Sequence, residues 1–452
     1  MRRPAAVAAL AASLVTSVLL PASARAVSTA PTAQAEPAVQ AVRAPQAAQA
    51  VQAPQAAQRR LEVPYVLRRL ENGLTVIVHE DHAVPTVSVN TWYHVGSARE
   101  LPGRTGFAHL FEHIMFGGSK SVPVGAFDRW LEAVGGDNNG STTTDRTNYW
   151  ENVPSNALET ALFLESDRMG WLLDVMTPER VDQQRDVVKN ERRQTYENRP
   201  YGLAPLVLAE ALYPDGHPYG WPVIGSMADL SAASRDDVAA FFRKWYGPAN
   251  AAVVIAGDVE AERAFALARK WFGGIPKTEP VPPLSARPVL LAAEKRLLLE
   301  DRVDLPKLFV SWPVAPALSP SSASLEALAG VLAEGKNSRL YRRLVYELQV
   351  AQEVEAYVEE GILGSTFEIQ VTARPGVSLE KIRLLVDEEL SRLVKEEPSP
   401  RELDRFRNQR EAGLLARLQH VGGFGGRADQ LNEYWSLTGN PCLLYTSDAA
   451  DE

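Results

Sequence analysis

Apolar and polar positions in the first half of the chain follow two periods, one of two residues and one close to 3.6. Residues 74–78 form a nearly continuous apolar run, whereas residues 86–93 alternate apolar with polar side chains. A short continuous run indicates a buried strand, and alternation indicates a strand with one buried face. The same criteria predict further strands at residues 147–153 and 251–256.

Stretches with helical spacing separate these strands. A helix is expected after Gly103, where nearly every residue from 107 to 116 is apolar, and a short amphipathic helix should end before Gly135. Thr177 and Pro178 are residue types favoured at the N-cap and in the first turn of a helix. The pattern predicts further helices at residues 156–173, 178–198, 235–245 and 260–271.

The same order recurs after a proline-rich stretch at residues 276–288, which has the composition of a linker. The second half predicts strands at residues 296–299, 307–312, 353–357 and 366–373, and helices at residues 320–332, 338–348, 379–393 and 401–420. This repetition predicts an α+β fold of two tandem, homologous α/β-layered units, each a mixed, mostly antiparallel sheet packed against helices. We place the first unit at residues 59–275, the linker at 276–290 and the second unit at 291–441.

The two ends of the chain differ from this pattern. Residues 1–26 combine Arg2 and Arg3 with a short apolar run and a small-residue cleavage sequence, which is typical of a secretory signal peptide. Residues 27–58 are rich in Ala, Gln and Pro, so we interpret them as a disordered tether. Residues 442–452 resemble translated sequencing-adapter sequence, and we predict that they are an artefact of a truncated gene. The signal peptide predicts a periplasmic or secreted protein.

Composition excludes several classes of protein. The formal net charge of -9 and the absence of basic runs argue against a nucleic-acid partner. After the signal peptide, no segment has the unbroken apolar length of a membrane span. The single cysteine, Cys442, rules out an internal disulfide framework, so packing must stabilise the fold.

The predicted helix at residues 107–116 carries two histidines and a glutamate. His109 and His113 lie one helical turn apart, with Glu112 beside them. The rest of the helix is apolar, and ionisable groups buried there are costly unless something pairs with them. One divalent ion could use both histidines as ligands and the glutamate as a base. The alternative is a pair of core histidines, with Glu112 in a cap or a salt bridge.

A catalytic zinc usually takes three protein ligands, so His109 and His113 need a partner from elsewhere. One stripe at helical spacing in the predicted helix 178–198 contains Val181, Gln184, Val187 and Val188. Glu191 extends this stripe, so we expect its carboxylate to point inward. From the residues alone, pairing of this carboxylate with a neighbouring arginine explains the position equally well.

Two segments resemble the signature of the pitrilysin/insulinase family of inverted-motif zinc peptidases. They are Gly-Phe-Ala-His-Leu-Phe-Glu-His at residues 106–113 and Val-Val-Lys-Asn-Glu-Arg-Arg at residues 187–193. The resemblance covers roughly residues 61–440 and is most specific in the first unit, since the second has no H-x-x-E-H. It implies one zinc ion per chain, with His109, His113 and Glu191 as the metal ligands. By the same resemblance, Glu112 is the base that deprotonates the metal-bound water.

The resemblance also implies a substrate site. Asn139, Gly140, Ser141 and Thr142 match the place where family members carry an edge strand that pairs with the substrate backbone, usually with Ala at the position of Gly140. The family often has a second glutamate one or two turns before the ligand, and the matching position here is Gln184, which departs from that pattern. We expect it to hydrogen-bond a zinc ligand, which is a support that metal sites commonly need.

The resulting hypothesis is a zinc-dependent endopeptidase that hydrolyses extended peptides or unfolded polypeptides. The resemblance implies one further partner, a second peptidase-like double unit that is either fused downstream or a separate subunit. Two alternatives stay open. One is a non-catalytic structural or assembly subunit of the same fold, and the other is a zinc hydrolase that acts on something other than peptides.

Overall fold

The computed structural model describes residues 62–443. The predicted signal peptide, the predicted tether and residues 444–452 of the predicted artefactual tail lie outside the described residues. The strands are β1 (Val66–Arg69), β2 (Thr75–Glu80), β3 (Thr86–Tyr93), β4 (Asp137–Thr142), β5 (Thr147–Pro154), β6 (Ala251–Gly257), β7 (Lys307–Val314), β8 (Ala351–Glu359) and β9 (Ser365–Ala373).

The α-helices follow the predicted pattern closely in several places. The helix predicted at residues 235–245 has those bounds, and the predicted cap at Thr177 is confirmed, because its side chain accepts a hydrogen bond from the Arg180 amide. The helices are α1 (Phe107–Phe116), α2 (Ala126–Ala133), α3 (Leu158–Trp171), α4 (Pro178–Arg192), α5 (Ala204–Leu212), α6 (Met227–Ala232), α7 (Arg235–Trp245), α8 (Ala261–Phe272), α9 (Ser322–Ala333), α10 (Leu379–Lys395), α11 (Pro400–Leu418) and α12 (Arg427–Thr438).

The first sheet has six strands in the order β1-β2-β6-β3-β5-β4. Strands β2 and β6 are parallel, and every other neighbouring pair in this sheet is antiparallel. Strand β6 lies at the centre and is buried along its whole length, as its unbroken apolar sequence predicts. Strand β4 forms one edge of the sheet, opposite the edge formed by β1.

The two faces of this sheet pack against different helices. Val253 and Ile255 of β6 belong to the core shared with α1 and α3, whereas Val254 and Ala256 pack with Leu431 of α12. Alternate side chains of a strand point to opposite faces, so β6 separates the two layers. Helix α12 lies within the sequence range predicted for the second unit, yet it packs on the sheet of the first.

The second sheet is antiparallel, with three strands in the order β7-β9-β8. Its core includes residues of α9 and α10. The strand predicted at residues 296–299 is wrong, since this segment is irregular and Leu298 is 85% exposed. In the first sheet the corresponding strand β2 pairs with β6, but no strand of residues 62–443 lies beyond β7. A run without a pairing partner cannot form a ladder.

The predicted α+β class, with helices layered on mostly antiparallel sheets, is confirmed. The patterns missed several short or irregular elements, namely β1, α5, α6 and α12. Strand β4 was expected only through the family resemblance, because its sequence is polar throughout and shows no alternation. In the part of the chain that the structure describes, no helix is both long and apolar enough to cross a bilayer.

A buried arginine holds the layers together behind α1. Arg168 of α3 is fully buried and forms ion pairs with the buried carboxylates of Glu151 and Glu165. Its guanidinium carbon lies 4.3 Å from the ring centroid of Tyr149 and 5.2 Å from that of Phe116. These contacts join α3, β5 and the last residue of α1.

We expect Arg168→Met to lower the free energy of unfolding by about 3–5 kcal/mol, because it leaves two buried carboxylates without their cation. Urea unfolding followed by circular dichroism measures this change. The matched control is Lys270→Met, which removes the solvent-exposed ion pair with Glu159 and should cost less than about 1 kcal/mol. Equal small losses in both variants would contradict a structural role for Arg168.

Candidate metal centre

Helix α1 is fixed at its first turn by a residue that the sequence patterns did not single out. The buried carboxylate of Glu100 accepts hydrogen bonds from the amides of Gly106 (2.9 Å) and Ala108 (2.8 Å). Burial raises the pKa of Glu100 to about 8, although these backbone bonds oppose the shift. Gly106 has a positive φ of 87°, and a Cβ there would lie 2.9 Å from the Cα of Gly225. A side chain at position 106 would therefore clash with the backbone at Gly225, so the start of α1 requires glycine there.

The three expected metal ligands lie together where α1 packs against α4. The Nε2 atom of His113 is 3.0 Å from Oε2 of Glu191, and the Nε2 atom of His109 is 3.6 Å from Oε1 of Glu191. The two imidazole rings are perpendicular, with centroids 4.8 Å apart. One candidate ligand atom from each residue lies within 4.8 Å of the other two.

Burial and mutual charge shape the protonation of this cluster. Burial lowers the pKa of His109 to about 4, with the neighbouring His113 acting in the same direction and Glu191 opposing it. The hydrogen bond with His113 lowers the pKa of Glu191. A neutral imidazole keeps a free lone pair on its ring, and an ionised carboxylate offers a charged oxygen, so both are in the form that binds a metal.

The donor set fits a divalent zinc ion. Two imidazole nitrogens and one carboxylate oxygen are a common ligand set of catalytic zinc sites, which keep a further coordination position open. All three side chains also remain partly accessible, with exposed fractions of 11% for His109, 25% for His113 and 36% for Glu191. Nδ1 of His109 is buried and has no hydrogen-bond partner among residues 62–443.

The stripe used to select Glu191 is partly correct. Val181 and Val188 are buried in the core, but Val187 is 44% exposed, so its expected inward position is wrong. Consecutive residues of a helix are about 100° apart around the axis, and Val187 therefore lies well away from Val188. Within residues 62–443, the ion pairs of Glu191 are with the two histidines and none is with an arginine.

Gln184 lines a small cavity behind α1, beside residues that are not candidate metal ligands. The cavity has a volume of about 60 Å³, and its lining includes Ile114, Gly117, Val181 and Gln184. Among the described residues, Gln184 makes no hydrogen bond to His109, His113 or Glu191. The expected support of a zinc ligand by Gln184 therefore remains a prediction.

Glu112 points from α1 toward the edge strand β4. Its Oε2 atom accepts a hydrogen bond of 2.6 Å from the Oγ1 hydroxyl of Thr142. Burial raises the pKa of Glu112, and the bond from Thr142 opposes this shift. The carboxylate of Glu112 thus fills the space between its own helix, α1, and β4, the strand that the resemblance assigns to substrate binding.

The four expected substrate residues all lie in β4. The amide of Thr143 donates to the carbonyl of Arg146, and pairs in an antiparallel ladder alternate between bonded and non-bonded. This alternation turns the main-chain groups of Gly140 and Thr142 away from β5, toward the open side of the edge strand. The amide of Gly140 is occupied by the Oδ1 atom of Asn139 at 2.8 Å.

A buried aspartate of α12 supports β4 through a chain of hydrogen bonds. Asp429 of α12 accepts a hydrogen bond of 2.9 Å from the Nδ2 group of Asn148. The Oδ1 atom of Asn148 in turn accepts from the hydroxyl of Ser141 and from Arg146, at 2.6 and 3.1 Å. No local pattern indicates Asp429, because it lies 281 positions from Asn148 in the sequence.

Two family models match the chain in tandem. The model described as Insulinase (Peptidase family M16) matches residues 75–218, and the model described as Peptidase M16 inactive domain matches residues 232–410. The first match contains all of the expected metal and base residues. The second covers the part of the chain that has no H-x-x-E-H.

Curated relatives with this similarity are named zinc proteases. The zinc protease PqqE of Helicobacter pylori is 30% identical over 379 residues, which are 82% of this chain and 84% of that protein. An uncharacterized zinc protease of Streptomyces coelicolor is 24% identical over 371 residues, covering 81% of this chain and 80% of that protein.

Solved structures share the fold. A protease from Helicobacter pylori superposes with a TM-score of 0.77 and 26% identity, covering 86% of this chain and 94% of that one. Pitrilysin superposes with a TM-score of 0.68 and 17% sequence identity. The periplasmic protease PqqL of Escherichia coli superposes with a TM-score of 0.66 and 20% sequence identity. The match to pitrilysin includes 88% of this chain but only 43% of pitrilysin. The match to PqqL includes 86% of this chain but only 44% of PqqL. The resemblance inferred from the sequence is confirmed, and the chain belongs to the insulinase family, peptidase family M16.

Proposed function

We propose that this chain is a zinc-dependent endopeptidase that hydrolyses extended peptides or unfolded polypeptides. The observation that carries the proposal is the meeting of His109, His113 and Glu191 within 4.8 Å, with Glu112 on the same helix as the two histidines. The zinc-protease names of the relatives support the metal and the reaction class.

Each residue of the centre has a separate task in this proposal. His109, His113 and Glu191 hold the ion, which supplies Lewis acidity to the scissile carbonyl and acidifies the attacking water when it is bound. Glu112 takes a proton from that water on its carboxylate and returns it to the nitrogen of the leaving amine. Burial raises the pKa of Glu112, which makes the carboxylate a stronger proton acceptor than an exposed one.

Substrate would bind as an added strand along the open side of β4. The main-chain groups of Gly140 and Thr142 would then supply the ladder, while side-chain pockets provide preference. An incoming peptide must displace the Asn139 side chain, which occupies the amide of Gly140. Extended or unfolded substrates follow from this mode of binding, since most backbone groups of a folded chain are already paired within its own structure.

The surroundings of the enzyme belong to the same proposal. We propose export to the periplasm or beyond the cell, supported by the signal-like residues 1–26 and by the periplasmic location in the name of PqqL. We also propose a second peptidase-like double unit as partner, because this chain matches the first half of PqqL over 87% of that half.

The site variants separate metal binding from catalysis. We expect Glu112→Gln to keep zinc but to lower kcat by about 10²- to 10⁴-fold, because the amide cannot accept the proton. His113→Ala should lose both zinc and turnover. Zinc content by mass spectrometry and cleavage of an unstructured fluorogenic peptide measure the two properties, with His420→Ala as an exposed-histidine control. Parental turnover in Glu112→Gln would show that the base is assigned wrongly.

Metal removal tests the reaction class directly. Incubation with 1,10-phenanthroline should abolish peptide cleavage, and dialysis followed by stoichiometric zinc should restore it, since the ligand set is preformed by packing. The scaffold alternative predicts no bound zinc and no cleavage in either condition. Cleavage that is unaffected by chelators would exclude the metal centre from the reaction.

The need for a second double unit is open to a kinetic test. We expect this chain alone to cleave slowly, and this chain combined with a second peptidase-like double unit to cleave faster, because a closing partner would hold the peptide on β4. Specific activities on the same unstructured peptide measure the difference. Full activity of this chain alone would remove the need for a partner.

A further inference from the structure

One hydrogen bond connects the carboxylate of Glu112 to the edge strand β4. The hydroxyl of Thr142 donates to Glu112 Oε2 at 2.6 Å, and within residues 62–443 no other group donates a hydrogen bond to this carboxylate. The bond connects α1 to β4 across 30 positions of sequence. It leaves the second carboxylate oxygen, Oε1, without a protein donor in this part of the chain.

Gly140 lies in the tight contact between β4 and α1, beside this bond. Gly140 and Thr142 are two residues apart, so they face the same side of the sheet. A Cβ on Gly140 would lie 3.1 Å from the ring of Phe116 at the end of α1 and 3.1 Å from the ring of Tyr149. At Gly140 the strand therefore packs tightly against the rings at the end of α1, and this packing places Thr142 beside Glu112.

The two parts of Thr142 point in different directions. Its main-chain groups lie on the open side of β4, where the ladder alternation places them, while its hydroxyl reaches α1. We propose that Thr142 is a positioning residue for the base, whose hydroxyl orients the carboxylate of Glu112 while its main chain belongs to the substrate-binding edge. This inference rests on the proposed peptidase function and adds a role that strand binding alone does not give to Thr142.

The chemical consequence concerns which oxygen of Glu112 is free. A carboxylate held through Oε2 cannot rotate without losing a charge-assisted hydrogen bond, so Oε1 keeps one direction in which to meet the attacking water. Binding of a peptide along β4 orders the same residue that holds the base. Substrate binding and base orientation are thus joined through one residue, by its main chain and its hydroxyl respectively.

Steady-state kinetics separate the two roles of Thr142. Thr142→Val keeps the β-branched shape and the main chain but removes the hydroxyl. We expect kcat to fall on the order of 10- to 100-fold, because the free energy of a hydrogen bond to a charged group corresponds to a rate change of this size. KM should stay unchanged within a factor of about two. Thr142→Ser retains the donor and should restore most of kcat.

The control applies the same substitution elsewhere in the sheet. Thr91 of β3 is buried, and its hydroxyl has no hydrogen-bond partner among the described residues. Thr91→Val should leave kcat and KM at the parental values. A comparable loss of kcat in Thr91→Val would show that the effect of Thr142→Val is a general consequence of the substitution.

A second readout uses the metal-free protein and needs no activity. Thermal unfolding of parent, Thr142→Val, Glu112→Ala and the double variant forms a double-mutant cycle, in which contacting residues give non-additive effects. We expect the midpoint shift of the double variant to differ clearly from the sum of the single shifts. An additive cycle would overturn the contact itself.

The outcomes distinguish this inference from the proposed function. A parent protein without zinc-dependent cleavage refutes the peptidase, and the cycle then still decides whether Thr142 holds Glu112. With an active parent, a rise in KM at constant kcat in Thr142→Val would assign Thr142 to substrate binding alone and overturn the positioning role. Equal losses of kcat in Thr142→Val and Thr142→Ser would overturn it as well, because the serine hydroxyl retains the donor.

Discussion

The packing of α1 against α4 is the contact on which the site depends. The helical repeat alone places His109 and His113 on one face, but the carboxylate of Glu191 reaches them only because the two helices lie side by side. Both ends of α1 are held in place, by Glu100 and the Gly106 contact at its start and by the rings around Arg168 at its end. The packing of two helices thus brings three donors together within 4.8 Å, without a disulfide among the described residues.

The three candidate metal ligands were largely predictable from sequence because their signal is local. The histidine spacing and the stripe ending at Glu191 both follow from a period of 3.6 residues, and the family signature marks the same positions. The stripe also placed Val187 inward, and the structure exposes it, because four stripe positions span too wide an arc of the helix. Periodicity therefore locates a face but does not settle each member of it.

Other features of the site could not be predicted because they depend on distant parts of the chain. Asp429 of α12 supports β4 through Asn148, and no pattern near residue 429 indicates this role. The run at residues 296–299 has the composition of a strand, yet a strand also requires a neighbour, and sequence patterns do not report pairing. The bond between Thr142 and Glu112 belongs to the same class, since it depends on how closely β4 packs against α1.

We propose that one zinc ion is held jointly by two histidines of α1 and one glutamate of α4. Anomalous diffraction at the zinc absorption edge, on crystals of the zinc-loaded protein, tests this most directly because it locates the ion without reference to activity. The expected result is a single strong peak between Nε2 of His109, Nε2 of His113 and the carboxylate of Glu191. A peak elsewhere in the chain, or no peak beside these three side chains, would contradict the metal centre.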